Sequence, residues 1–415
     1  MVSRKLPSPG KKVGLTDTRS GRSSGPGKTP LGPRFFATLL VLAALLSASP
    51  AQGWLLHEHV QITYAGLRGL SPREKATFDE AWRIVRRNPF WGARLCEGSA
   101  ERSPVVMDRR RPRTWCVGFA SLPAVAADHS CNPGDLVRVL GGDWINRVLV
   151  EATRLDVELQ TVTPVLDRLD ARRSHEIELQ LLDQEYLTRA SASGSHFQLT
   201  RVAAGPRVGE APRPPELGVY LRRALATGQA MNATALYVNY HAAAVADALA
   251  ARALCKSAGQ ICVAARQAIW NALTAEAFAL HFLEDSFSSG HFVGSWGNGS
   301  ERFGTHDYYS RHGVLARLFS GGDEYVAHGD LFLTDEDERR AAFAVAESLG
   351  QVIRALTPGA ETEAESARDK AELARAAPAR DFDSCHGDQI PTGLADLDAS
   401  PLAGSVASWP MPGLR

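Results

Sequence analysis

Apolar residues recur at intervals of three and four across Leu136–Leu187, Leu217–Leu249, Cys262–Phe287 and Asp335–Leu356. That is the period of helices with one face turned to a core. No stretch alternates apolar and polar positions with β-branched residues, so little sheet is expected. Arg201–Glu216 and Gly294–Gly304 carry neither period and read as irregular connections. No internal repeat is visible. The pattern predicts an all-α fold, a single multi-helix domain from Trp54 to Leu356 with long loops. An irregular, extended tail over 357–415 follows it, with four prolines in its last 25 residues.

The N-terminus has a different character. Residues 1–34 are rich in Gly, Pro and Ser and hold eight Lys/Arg against only Asp17. Phe35–Leu46 then gives twelve apolar or small residues, too few for the ~20 that span a bilayer and suited to the apolar region of a secretory signal. Ala51-Gln52-Gly53 offers small residues for cleavage before Trp54. Residues 1–53 therefore read as a signal peptide with a long basic start, against the competing reading of an uncleaved membrane anchor, and the mature chain as secreted or periplasmic, without stable membrane insertion.

The whole chain has 46 basic and 46 acidic residues. Without residues 1–34 the balance is 38 against 45, which leaves no general attraction for duplex DNA or an anionic membrane surface. Work on a phosphate would need a local cation. All six cysteines follow Trp54, and an even count in an exported chain suggests disulfides, although six cysteines allow many pairings. Cys255 and Cys262 are close enough to staple one loop, and Cys96–Cys116 is the next choice, leaving Cys131–Cys385. None has zinc-ribbon spacing.

The chemistry concentrates in Ala277–Phe292. On a helix, His281 and Asp285 stand one above the other, below the small residues Ala277 and Thr274. Ser288-Ser289-Gly290 reads as a helix stop that brings His291 round. Two imidazoles and a carboxylate suit Zn²⁺; the competing reading is an ion pair on a helix face beside an unrelated loop histidine.

This motif resembles that of the zinc-dependent phospholipase C family and the related single-strand-specific nucleases, which share an all-helical trinuclear zinc fold. In that family a mature N-terminal Trp binds zinc through its amine and carbonyl, a role that falls to Trp54. The histidine that follows is His59, with His57 the lesser choice, and the short Trp-to-His spacing is closer to the nucleases. Asp128 and His196, followed by Phe197, fit the next two positions, although they stand further apart than in either branch. The resemblance implies one zinc on Asp128, His196, His281 and Asp285. A second shares Asp285 with His59 and Trp54, and a third takes His291 and His306, making two to three zinc ions in all. The chain departs from the pattern at the last site, where Ser310 stands in place of the expected acid. Ala316 fails His312 in the same way, and Asp307 or water remain as substitutes.

Clustered Zn²⁺ would supply hydroxide near neutral pH and clamp phosphodiester oxygens, with Asp128 orienting the nucleophile or acting as base. The substrate implied is a phospholipid or another phosphodiester. The alternatives are a single-strand-specific nuclease, and a non-catalytic secreted envelope or developmental protein stabilised by its metals. Glu284 lies about 100° round the helix from Asp285 and reads as a solvated carboxylate or one supporting a ligand. His241 reads as a packed polar residue, and His175 and His386 as exposed. Tyr308 and Tyr309 read as pocket or core. The segment His328-Gly329-Asp330 is a weak candidate for the site's neighbourhood. No aromatic and basic interleaving marks a nucleic-acid track.

Overall fold

The computed structural model describes residues 54–412 except 100, 108–114, 163–164, 187–188, 190–193, 200–206, 212–214, 256–260, 295–301, 358–370, 373–379, 388, 392–393 and 395–401. The leader reading of residues 1–53 lies outside the described residues. So does much of the 201–216 and 294–304 connections and of the tail.

The chain opens with α1 (Leu56–Gly69) and α2 (Pro72–Val85), then a short antiparallel pair, β1 (Val106–Met107) and β2 (Trp115–Cys116). Next come α3 (Ser121–Val125), α4 (Pro133–Leu140), α5 (Asp143–Leu159), α6 (Val165–Leu182), α7 (Leu217–Ala224), α8 (Ala233–Ala253) and α9 (Arg266–Asp285). After α9 follow α10 (Ser289–Val293), α11 (His306–His312) and the antiparallel hairpin of β3 (Val314–Ala316) with β4 (Tyr325–Ala327). The long α12 (Asp335–Leu356) and the short α13 (Ala403–Ala407) complete the order. The described chain is mostly helical, as the apolar periods predict, with only these two small ribbons of sheet.

α9 is the axis of the molecule. From Ala272 to Asp285 every residue is buried, as expected for a helix apolar on all sides. α8 packs along it, and the alanines that dominate facing stretches of both helices permit the close approach. The Asn232 side chain caps α8 by accepting from the Ala235 N–H. α12 lies against α1, α8 and α9, its N-terminus closed by a capping box of Thr334 and Asp337. The apolar run from Leu136 to Leu187 is divided: α4 ends at the Gly141-Gly142 pair, and α5 begins immediately after it.

The disulfides are Cys96–Cys116, Cys131–Cys385 and Cys255–Cys262. The first ties the end of the α2 connection to β2, and the third staples the loop between α8 and α9. Cys131–Cys385 joins the start of α4 to the C-terminal segment. There Trp409 is buried edge-on against Tyr237, whose hydroxyl donates to Ser405 at 2.7 Å. Among the described residues no helix is long and apolar enough to cross a membrane.

Candidate metal centre

Asp285, at the last turn of α9, is the hub. His281 sits one turn earlier on the same face, its Nε2 3.3 Å from Asp285 Oδ2. α1 runs past the end of α9 and brings His59 Nε2 to 3.5 Å from Asp285 Oδ1. A single 3₁₀ turn, Gly194–His196, places His196 Nδ1 2.7 Å from Asp285 Oδ2. After α9 the chain turns at Ser286–Ser288, and α10 returns His291, with Nδ1 3.8 Å from Asp285 Oδ1. Asp128 follows α3, its Oδ1 4.0 Å from His196 Nε2. All these side chains are buried. Two groups could each hold a metal ion, His59 with His281 and Asp285, and Asp128 with His196 and His281, their ligand atoms within 4.8 Å of one another.

The imidazoles are oriented from behind. His281 Nδ1 lies 3.0 Å from the Pro123 carbonyl, so Nδ1 donates and Nε2 turns its lone pair inward. His59 Nδ1 meets Glu284 Oε2 at 2.6 Å, and Thr63 donates to the other Glu284 oxygen at 2.6 Å. His306 Nδ1 meets Asp307 Oδ1 at 2.9 Å. A carboxylate or carbonyl behind one nitrogen, with the other facing a shared point, is how proteins hold metal-ligating histidines.

Six inward atoms have no hydrogen-bond partner: His59 Nε2, Asp128 Oδ1, Asp285 Oδ1, both nitrogens of His291 and His306 Nε2. Buried polar atoms are rarely left this way, and so many around one point fit a site made for cations. His196 Nδ1, by contrast, is bonded to Asp285 Oδ2 and lies 3.2 Å from His281 Nε2. Electrostatics agree. Burial alone would raise the Asp285 carboxyl, but His281 and His291 outweigh it and hold it well below the usual range. Burial would lower His281, but the adjacent Asp285 raises it to about 9, so this ring carries a proton near neutral pH that a cation beside Asp285 would have to displace. His59 and His291 are pushed well below their usual value by burial, which keeps them neutral, the form that binds metal.

His306, from the start of α11, stands beside His291 with ring centroids 4.8 Å apart. Asp307 is turned to His306 Nδ1 rather than to the shared space. His312 is exposed. The carboxylate near His306 Nε2 is Asp330, at 3.2 Å. Ser310, where an acid was expected, instead donates to Asp330 Oδ1 at 2.8 Å. The His328–Asp330 segment, a weak candidate in the sequence, therefore reaches the centre. The β3–β4 hairpin carries it there, a long-range return without a local signature.

Trp54 is brought to the same place, its indole N–H donating to the Glu284 carbonyl at 2.8 Å. His57 faces away from the hub, toward Asp156, Arg168 and His175, as a residue two positions from His59 must on a helix. Glu284 is buried rather than solvated, and serves His59. His175 is a correction: it is buried between Glu151 and Glu158, at 2.6 and 3.0 Å. His386 is exposed, beside Asp383. Tyr309 is core, packed with Phe292 and Val314. A further grouping, Cys131, Asp383 and Cys385, offers no thiolate because its cysteines are bonded to each other. No known family model matches this chain, and neither a characterised protein nor a solved structure matches it.

Proposed function

We propose that the chain is a zinc-dependent phosphodiesterase of the phospholipase C type, hydrolysing a phospholipid phosphodiester. The observation that carries this reading is the convergence of His59, Asp128, His196, His281 and His291 on Asp285, with inward atoms of His59, Asp128, Asp285 and His291 unpartnered. The ligands are imidazole and carboxylate without thiolate, the set expected of hydrolytic zinc. Zinc in such a cluster lowers the pKa of water and neutralises charge on phosphate oxygens.

The chain's own residues then have separable tasks. Asp285 offers its two oxygens to opposite sides, Oδ1 toward His59 and His291 and Oδ2 toward His196 and His281. Glu284 and the Pro123 carbonyl fix the ring orientations of His59 and His281. Asp128, with one oxygen unpartnered, orients the attacking water and accepts its proton. The acidic balance beyond residue 34 supports a lipid over a polyanionic strand. The short interval from Trp54 to His59 favours a second reading, a single-strand-specific nuclease.

The test is turnover of phosphatidylcholine and of single-stranded DNA by the same zinc-loaded preparation, with His281→Ala as control. Hydrolysis of the lipid that His281→Ala abolishes supports the proposal. Turnover of the nucleic acid alone transfers it to the nuclease reading. Inertness toward both, with zinc bound, leaves a metal-stabilised structural protein.

A further inference from the structure

The centre contains two imidazoles, His291 and His306, for which α11 supplies no acid. We infer that Asp330, delivered by the loop after β4, is the carboxylate that completes a third divalent-cation site with His291 and His306. This rests on the metal-centre reading above.

The geometry is specific. Asp330 Oδ1 lies 3.2 Å from His306 Nε2 and accepts the Ser310 hydroxyl at 2.8 Å. Arg172 Nη1 holds the other oxygen at 3.0 Å. The carboxylate is thus oriented on both sides, as ligating carboxylates are. His291 and His306 keep three ring nitrogens without hydrogen bonds, and their rings stand side by side with centroids 4.8 Å apart.

Ser310 explains why the acid comes from elsewhere. A Cβ at Gly290 would stand 2.6 Å from Ser310 Oγ, and one at Gly329 would collide with it. Two backbone segments therefore close over position 310, leaving room for a hydroxyl but not for a carboxylate on a longer stem. The same closure brings Asp330, the neighbour of Gly329, to the space the missing acid would fill.

The guanidinium that holds Asp330 is itself fixed, since Arg172 Nε donates to Glu176 Oε1 at 2.7 Å one turn along α6.

The backbone adds an independent mark. Among the described residues, two non-glycine positions have positive φ, Ala127 at 60° and Leu331 at 71°. They adjoin Asp128 and Asp330, the two carboxylates of the centre that loops carry. Such strain persists where surrounding structure enforces it, commonly at functional sites. At Leu331 the enforcing group is Glu58, which accepts from the N–H groups of Leu331 at 3.1 Å and Leu55 at 2.8 Å. One buried carboxylate thereby ties the Asp330 loop to Leu55, at the start of α1 and next to Trp54.

The experiment is zinc stoichiometry by native mass spectrometry on the purified, zinc-loaded chain, with far-ultraviolet circular dichroism as a folding check. Asp330→Asn and His306→Ala should each hold one zinc fewer than the wild type and retain the rest. Ser310→Ala, which removes no charge, should keep the full count but release one ion to a chelator roughly tenfold more readily. Asp330→Asn with wild-type stoichiometry and chelator resistance would overturn the inference and leave the metal-centre reading standing. Should Asp330→Asn not fold, an unaltered release profile in Ser310→Ala would overturn it instead. A wild-type chain that binds no zinc overturns both.

Discussion

Helix α9 carries two buried clusters of histidine and carboxylate, and they differ in one respect. Toward α8 and α12, Glu276 meets His241 Nδ1 at 2.9 Å and accepts from Ser348 at 2.7 Å, while His241 Nε2 meets Gln351 at 2.9 Å. Every imidazole nitrogen and carboxylate oxygen there has a partner. Two turns on, His281 and Asp285 gather three further histidines, and Asp285 Oδ1, His59 Nε2 and both nitrogens of His291 have none. Both clusters are equally buried. Burial and composition therefore do not separate a structural polar network from a candidate metal centre. Closure of the hydrogen-bond inventory does.

Substitutions in the two clusters on α9 should break this comparison cleanly. The largest effect belongs to Asp285→Ala, which removes the hub. Turnover on the substrate identified should fall by roughly three orders of magnitude or more, with loss of most bound zinc by mass spectrometry. Glu276→Ala should do the opposite. It leaves a buried His241 without its carboxylate and should cost about 3 kcal/mol in chemical denaturation, with zinc content unchanged. Substantial zinc loss in that variant would erase the distinction.

Glu284→Gln sharpens the comparison from within the centre. Glu284 touches no shared point, yet it holds His59 Nδ1. Its amide should weaken one zinc by about ten- to a hundredfold, read by competition with a chromogenic chelator, while the count at saturating zinc is preserved.

The smallest effect lies on α8, away from both clusters. Burial pushes the Asp247 carboxyl up to about 6, above its unfolded value, so carrying it ionised opposes folding. That penalty is fully present above the folded value and disappears as pH falls below the unfolded one. Asp247→Asn should accordingly melt a few degrees higher than wild type at pH 7, and the two curves should converge near pH 4.

What the sequence revealed follows the same division. His281 and Asp285 were legible because helical spacing alone puts them on one face, and His291 because a stop signal follows α9. The apolar periods located α8, α9 and α12 for the same reason. Asp330 was legible only as part of the candidate segment His328–Asp330, not as the partner of His306. It reaches His306 through a hairpin whose short strands carry no strong period, and only the packing of Gly329 against Ser310 shows why it must. Glu284 was half-legible: its angle from Asp285 excluded a shared point, but nothing local announced Thr63 and His59 as its partners. His175 misled because the partners that bury it lie on α5, a helix away.

The most direct measurement is an anomalous difference map at the zinc edge from crystals of the zinc-loaded chain. The account predicts peaks about 2.0–2.2 Å from Asp285 oxygens and from inward-facing histidine nitrogens, His281 Nε2 among them. A map with no peak around Asp285, or a centre whose histidines and carboxylates hydrogen-bond one another to completion, would contradict it.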